Sequence, residues 1–369
     1  MTRAEGGLRI TFVLPGWLRK PSGGARVTYR YASELAARGH HVTVVHGAFL
    51  EPWQVCHRLR WRRELRALAR AVVDQAGGRP SGVPWEQVDP RVELRYVPTL
   101  APRHVPDGDI VVATAWRTAE SVLRYPTDKG APHYLIQHYE TWDGPEERVD
   151  ATWRAPLTKI VIAAWLREVG DRLEAGASHI VPNAIDLATF RSTRAPEDRP
   201  DRVAMLYSPA PIKGAAVGIE ALERAKAAVP GLQAVLFGLR PRPRGLPAWI
   251  DYVQDPTIDL LVDAVYGGSS IYLCPSLGEG WHLPPAEAMA CGCAVVSSRI
   301  DGVSDYAEHG RTALLVAPGD AAELAAAIVE LCEDPARRLA LGRAGHDRIA
   351  EFSWTRSTDQ VEQLFLAAR

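Results

Sequence analysis

"IYLCPSLGEGWHLPPAEAMACGCAVVSS", residues 271–298, carries the architecture in one run. An apolar stretch, "IYLCPS", gives way to the glycine-bearing loop "LGEGWHL". A helix then starts at "PPAEAMA", stops at Gly292, and is followed by a second apolar stretch, "AVVSS". Proline suits the opening of a helix, where its missing N–H costs nothing. Strand, loop, helix and strand in that order make the unit of a parallel sheet covered by helices. The loop therefore lies at the carboxyl end of a parallel strand, the edge at which such sheets bind ligands. Two glutamates are placed there, Glu279 in the loop and Glu287 in the helix, with Gly280, Trp281, Pro284 and Pro285 between them.

The same alternation extends in both directions. In the first half, "LRITFVLP" (8–15), "HVTVVHG" (41–47), "RVELRYV" (91–97), "DIVVAT" (109–114), "HYLIQH" (133–138) and "KIVIAA" (159–164) read as strands. Between the first two, Val27, Tyr31, Ala32, Leu35 and Ala36 recur at helical spacing, with Gly23 and Gly24 at the mouth and Gly39 as the stop. "RSTRAPEDRPD" (191–201) is charged, proline-bearing and aperiodic, and is predicted to be a linker. Beyond it the pattern restarts with "RVAMLYSP" (202–209), "LQAVLFG" (232–238), "IDYV" (250–253), the opening run and "ALLV" (313–316). The expected architecture is α/β, with two Rossmann-like domains, 1–190 and 202–351, facing each other across a cleft. A helix at 352–369, with Trp354, Val361, Leu364 and Phe365 on one side, is expected to cross back over the domain junction.

Composition narrows the function classes. A chain of 369 residues suits two domains. Its net charge of −1 argues against nucleic-acid binding, which needs a large basic surface. No apolar run reaches the roughly 18 residues of a membrane span. The start, "MTRAEGGLRITFVLPG", reads as a first strand rather than a signal peptide. Five scattered cysteines do not make a disulfide framework, which fits the cytoplasm, and Cys291–Cys293 reads as small buried residues rather than a metal site. "DGD" (107–109) precedes a strand and reads as a turn. "PGWLRKPSGGA" after the first strand is not the G-x-G-x-x-G of a nicotinamide enzyme.

The chemistry of the opening run points to a ligand carrying several groups. A helix N-terminus favours phosphate, and Gly280 lets a ligand approach the backbone. Helical side chains lean back toward the N-terminus, so Glu287 is placed to accept the hydroxyls of a ribose. Glu279, in the loop, is placed to accept hydroxyls of a sugar attached through a diphosphate. A hydrolase would also use two carboxylates, flanking a glycosidic bond, but would leave the helix N-terminus between them without a role.

Residues 271–331 resemble the Glu-seven-Glu signature of the retaining GT-B glycosyltransferases of family 4, and "VPNAIDLATF" (181–190) and "PSGGARVTYRYASELAARGHHVTVV" (21–45) extend the resemblance more weakly. It implies a nucleotide-diphosphate sugar as co-substrate, a hydroxyl-bearing acceptor and no metal or other cofactor. It also implies roles. Glu279 would contact the donor sugar and Glu287 the ribose. Gly280, Trp281, His282 and Leu283 would line the sugar and diphosphate. Lys213 and Gly214, a "K-G" step opening a helix, would neutralise the diphosphate, with Gly238 and Arg240 nearby. Gly23 and Gly24 would close over the diphosphate. His138, after a central strand of the first domain, would lie near the attacking hydroxyl, so that His138, Glu279 and Lys213 form the catalytic set.

One position departs from the family. An arginine usually stands five or six residues before the lysine, and here Tyr207 and Ser208 stand there. Arg240 or Arg26 would have to supply the second cation, because the leaving diphosphate develops charge. Without it, a non-catalytic nucleotide-binding subunit is the rival reading; a nucleotide-sugar epimerase or a phosphorylase of the same fold is another.

On the acceptor side, Trp17, Glu140 and Trp142 are the candidates, being near the glycine loop and His138. Asp143 follows Glu140 closely as a second carboxylate. Retention needs no protein nucleophile if the departing phosphate takes the acceptor's proton on the same face. "HRLRWRRELRALARAVV" (57–73) is a basic amphipathic helix suited to an anionic membrane surface or a lipid-phosphate acceptor. A solvated arginine face over a packed helix accounts for the same pattern. The chain reads as cytoplasmic, peripheral to the inner membrane face at most.

Overall fold

The computed structural model describes residues 7–16, 20–49 and 83–369. Trp17 and the basic segment 57–73 lie outside the described residues. Contacts divide the chain into two units. One runs to Pro182 and includes Thr355–Arg369; the other is Asn183–Trp354.

Among the described residues the first unit is built on seven strands: β1 (Arg9–Pro15), β2 (His41–Phe49), β3 (Glu93–Thr99), β4 (Ile110–Ala113), β5 (Ala131–Ile136), β6 (Thr158–Val161) and β7 (Ser178–Ile180). All pair parallel in the order β3-β2-β1-β4-β5-β6-β7. The first six fall where the sequence runs predict them; central strands such as β1 and β4 are apolar and buried, as a sheet covered on both faces requires, while β3 at the edge is mostly half-exposed. No apolar run predicts β7, which has three residues at the sheet edge, none of them fully buried. Helix Gly23–Ala37 buries Val27, Tyr31, Ala32, Leu35 and Ala36. It is followed by Gly39 at φ +94°, a backbone conformation only glycine takes readily.

The C-terminal helix, Trp354–Ala367, is anchored on this unit. Phe365 is fully buried, edge-on to Phe12 at 6.5 Å and to His133 at 5.0 Å. Arg38 pairs with Glu362 and Asp359, each at 2.6 Å. His40 Nδ1 accepts from the Leu8 N–H at 3.0 Å, so its proton is on Nε2 and is donated to Glu362 at 2.8 Å.

The second unit has six parallel strands: β8 (Arg202–Leu206), β9 (Gln233–Gly238), β10 (Ile250–Gln254), β11 (Ile271–Cys274), β12 (Ala294–Ser298) and β13 (Ala313–Val316). Their order is β10-β9-β8-β11-β12-β13. Val203, Met205, Leu236, Leu273 and Val296 of the strands pack with Leu222, Leu324 and Ile328 of helices Ala215–Ala228 and Ala321–Glu333. Each such side chain contributes about 1.5–3 kcal/mol of burial. In both sheets the chain winds outward in one direction, then restarts beside its first strand. β1 thus neighbours β4, and β8 neighbours β11, a switch point at which loops diverge and leave room for a ligand.

Among the described residues no helix is long and apolar enough to cross a membrane. The two aspartates of "DGD" sit before β4, at the edge opposite the loops that follow the strands. Asp107 pairs with Lys129 and Asp109 with Arg9, so both carboxylates are committed to cations.

Candidate functional site

The loops leaving β8 and β11 meet at the switch point of the second sheet. Leu277 N–H donates to Ile212 O at 2.7 Å, tying one loop to the other. Gly214 (φ +61°) opens helix Ala215–Ala228, and a Cβ there would lie 2.0 Å from Pro275 O. Only glycine allows this approach. A Cβ on Gly238, at the end of β9, would meet Tyr207 O at 2.3 Å, so that glycine too is required by crowding.

This closeness brings Lys213 and Glu279 together. Lys213 Nζ donates to Glu279 Oε1 at 2.7 Å and to Oε2 at 2.9 Å. The side chains are 27% and 12% exposed, so the pair is half sheltered yet reachable from solvent. Burial would raise the Glu279 carboxyl pKa, but His282 and Lys213 outweigh it and hold the group below its ordinary value. At neutral pH the Lys213 ammonium does most of this. His282 is itself neutral, its pKa pushed down to about 4 by burial against the pull of Glu279. His282 Nε2 lies 3.4 Å from Glu279 Oε1, and its Nδ1 lies 3.2 Å from Cys274 Sγ.

Glu287 is on helix Leu283–Ala290 and is 4% exposed. One carboxylate oxygen accepts from the Tyr266 hydroxyl at 2.9 Å. Tyr266 ends the π-helical turn Leu261–Tyr266, where Gly267 N–H reaches back to Val262 O. Turns of this kind are frequent at functional sites. The helix opening differs from the simple expectation in one respect. Pro284 and Pro285 carry no N–H, and His282 N–H is taken by Gly302 O at 2.8 Å. Of the groups expected to meet an anion at this edge, the structure places the Lys213 ammonium beside Glu279. Trp281 is buried, its ring packed against Tyr306 and Phe352.

Gly302, absent from the sequence expectations, shapes the loop from below. A Cβ there would lie 2.5 Å from Glu279 Cβ and 2.7 Å from Glu279 O. Tyr306, likewise unforeseen, donates its hydroxyl to His282 O at 2.7 Å. The only sequence signals for Tyr266 and Gly302 are the glycines at 267–268 and the "DG" step at 301–302.

At the carboxyl edge of the first sheet, Gly23 and Gly24 begin helix Gly23–Ala37, with Gln137 Nε2 donating to Gly24 O at 3.0 Å. His138, two residues beyond β5, is half-buried and edge-on to Trp142 at 4.2 Å and Trp165 at 5.4 Å. Trp142 is 61% exposed. Its loop is held by Glu140, which accepts the Trp116 N–H at 2.8 Å, and by Asp143, which pairs with Arg117 at 3.1 Å. Burial pushes the Glu140 carboxyl up to about 7 despite the Trp116 bond. Trp116 and Trp153 are fully buried core residues.

The two arginines considered as replacement cations differ. Arg26 pairs with Glu86 at 3.0 Å, which partly spends its charge. Arg240, two residues after β9, is exposed; its carbonyl accepts the Tyr252 hydroxyl at 2.6 Å. Tyr207, which stands where the family arginine is expected, packs edge-on to Tyr252 at 6.0 Å. Among the described residues no group of three His, Cys, Asp or Glu side chains is placed to hold a metal.

Two parallel α/β units in one chain, each with loops gathered at a switch point, define the GT-B fold, and solved structures agree. The chain matches sucrose-phosphate synthase from Thermosynechococcus elongatus at TM-score 0.70 and 19% identity, covering 97% of this chain and 98% of that one. It matches Anabaena HepE, solved in complex with UDP-glucose, at TM-score 0.72 and 14% identity, covering 98% and 100%.

Residues 202–334, within the second unit, match the model of Glycosyl transferases group 1. Among curated relatives, a D-inositol 3-phosphate glycosyltransferase of Pseudarthrobacter chlorophenolicus is 39% identical over 105 residues, covering 28% of this chain and 25% of the relative. An alpha-maltose-1-phosphate synthase of Mycolicibacterium smegmatis is 27% identical over 273 residues, covering 70% and 63%. The matched regions thus span between a quarter and under two thirds of those relatives' own lengths.

Proposed function

We propose that the chain transfers a sugar from a nucleotide-diphosphate sugar to an acceptor hydroxyl with retention of anomeric configuration. The observation that carries this is the Lys213–Glu279 pair at the β8/β11 switch point, with Glu287 on the helix that follows. An ammonium suits the diphosphate, a carboxylate suits sugar hydroxyls, and a second carboxylate one helical turn further in suits a ribose. In the ligand-free site Lys213 and Glu279 neutralise each other. A donor would take each for a different part of itself, the lysine for the diphosphate and the glutamate for the sugar.

On this reading Lys213, Gly214, Gly238, Arg240, Glu279, Gly280, Trp281, His282, Leu283 and Glu287 form the donor side. His138, Glu140 and Trp142 belong to the acceptor side, and Gly23 and Gly24 to the diphosphate. Arg240 replaces the family arginine, since it is exposed in the same unit as Lys213. As charge develops on the leaving phosphate, Lys213 and Arg240 stabilise it. That phosphate takes the acceptor's proton, so no protein nucleophile is required. UDP-glucose is the first donor to try, by analogy with HepE.

The test is thermal stability with UDP, GDP, dTDP and ADP, each at millimolar concentration. It is followed by turnover of the matching nucleotide sugar. A ligand at a hundred times its dissociation constant adds about 2.7 kcal/mol. One nucleotide standing out, with sugar release to acceptor or water, supports the proposal. Binding without any turnover would favour the non-catalytic subunit, which the absence of an arginine at Tyr207–Ser208 otherwise recommends.

A further inference from the structure

We propose that Cys274 and His282 are positioning residues for Glu279: the thiol fixes the imidazole tautomer, and the imidazole N–H takes over the carboxylate when Lys213 turns to a donor diphosphate. The inference rests on reading the site as a nucleotide-sugar site.

Each ring nitrogen of His282 faces one group. Nδ1 lies 3.2 Å from Cys274 Sγ, and Nε2 lies 3.4 Å from Glu279 Oε1. The residue is 4% exposed, and Nε2 is buried without a formed hydrogen bond. A neutral imidazole has one N–H and one lone pair. With the lone pair on Nε2, two acceptors would face each other in a buried place with no proton between them, the costly arrangement. The proton therefore sits on Nε2, aimed at Glu279. Nδ1 is then an acceptor, and the Cys274 S–H supplies its hydrogen bond. Burial raises the Cys274 pKa, so the thiol keeps its proton.

The contact at 3.4 Å is too long for a formed N–H···O bond, whose usual range ends near 3.2 Å. Lys213 holds both Glu279 oxygens instead. A diphosphate competes for that ammonium. When it wins, Glu279 would be left as a sheltered carboxylate without its cation, and the waiting Nε2–H closes onto it. Glu279 then stays charged and aimed at the sugar. The step is an exchange of hydrogen bonds, with no covalent bond made or broken.

Full-length protein is compared as wild type, His282→Gln, His282→Leu, Cys274→Ser and Cys274→Ala, with UDP and UDP-glucose as probes. A Gln side-chain amide keeps a donor near the Nε2 position, and Ser keeps a donor near the sulfur. His282→Leu is expected to lower UDP-glucose hydrolysis about tenfold, as loss of a hydrogen bond to a charged group implies, and by clearly more than it weakens UDP binding. His282→Gln is expected to restore most of the rate, and Cys274→Ser to exceed Cys274→Ala. Equal losses in Leu and Gln, or UDP affinity falling in step with the rate, would mean a merely structural role and overturn the proposal.

Imidazole nitrogen NMR on the ligand-free protein, with His282→Gln identifying the signal, reads the tautomer directly. Nε2–H supports the chain of contacts and Nδ1–H overturns it. If wild type binds none of UDP, GDP, dTDP or ADP, the donor reading falls and the hand-over of Glu279 falls with it; nucleotide binding with an Nδ1–H tautomer overturns this inference alone.

Discussion

Lys213 and Glu279 are worth considering first as charges. In a sheltered ion pair the cost of desolvating the charges offsets much of their attraction, so this one is a poor device for stability. Sheltered as it is, it is better suited to holding two binding groups at a fixed separation until a ligand divides them. On the proposed function the leaving diphosphate needs more positive charge than one lysine supplies, and Arg240, exposed in the same unit, is proposed to add it. Arg240→Ala should lower turnover of the cognate nucleotide sugar by about ten- to a hundredfold, with little change in melting temperature because the side chain is exposed. Steady-state kinetics beside thermal unfolding checks this. Unchanged turnover would mean that Lys213 works without a second cation from this loop.

At the level of elements, the site depends on how closely loops approach one another. Gly302→Ala would place a methyl group 2.5 Å from Glu279 Cβ, where neither backbone can yield cheaply. A loss of about 1–3 kcal/mol in stability is expected from such overpacking, together with a fall in turnover larger than the fall in nucleotide affinity. Denaturant titration and calorimetry distinguish the two. The loop carrying Trp142 offers a pH test. Glu140 has a folded pKa raised to about 7 by burial, above its ordinary 4.5, so the folded state holds a proton that the unfolded state has lost between those values. Its contribution is greatest below about pH 4.5 and is lost as pH rises through about 7. Glu140→Gln, which keeps an acceptor for the Trp116 N–H, should therefore raise the melting temperature at pH 8 more than at pH 5. An equal shift at both would show that Glu140 ionises normally.

These elements also show what a sequence can carry. Among the described residues, twelve of thirteen strands coincide with apolar or alternating runs in the sequence; β7, three residues long with none fully buried, leaves no such run. The places of Glu279 on a loop and Glu287 on the helix after it were legible from the glycine and proline around them, whereas Lys213 was singled out only through the family resemblance. Tyr266, Cys274 and Gly302 were not legible. Their importance comes from contacts between segments far apart in the chain, which no local pattern records.

For the whole molecule, each unit buries a neutral histidine. His46 in the first is held by Gly16 O at 3.0 Å and stacked on Tyr96 at 4.8 Å, and burial pushes its pKa down to about 4. His282 in the second is likewise near 4, with burial the leading cause. Both must take up a proton on unfolding at pH values below the ordinary 6.5. Their contribution is therefore complete above that pH and is lost as pH falls toward 4, by up to about 2–3 kcal/mol each. Urea unfolding followed at pH 7.5, 6 and 5 should show both units weakening toward acid. Replacing His282 by Gln should flatten the dependence of the second unit alone. If that variant keeps the full acid loss, His282 is protonated in the folded protein.

The central claim is that Lys213 and Glu279 divide a nucleotide sugar between them, and calorimetry of wild type, Lys213→Met and Glu279→Gln tests it most directly. UDP and UDP-glucose, or the nucleotide pair chosen by the thermal screen, are titrated into each. Lys213→Met is expected to lose at least about tenfold in affinity for both ligands, as loss of a charged hydrogen bond implies. Glu279→Gln should keep the nucleoside diphosphate and lose only the added affinity for the sugar. Equal affinities across all three proteins would contradict the claim and leave the pair as a structural contact.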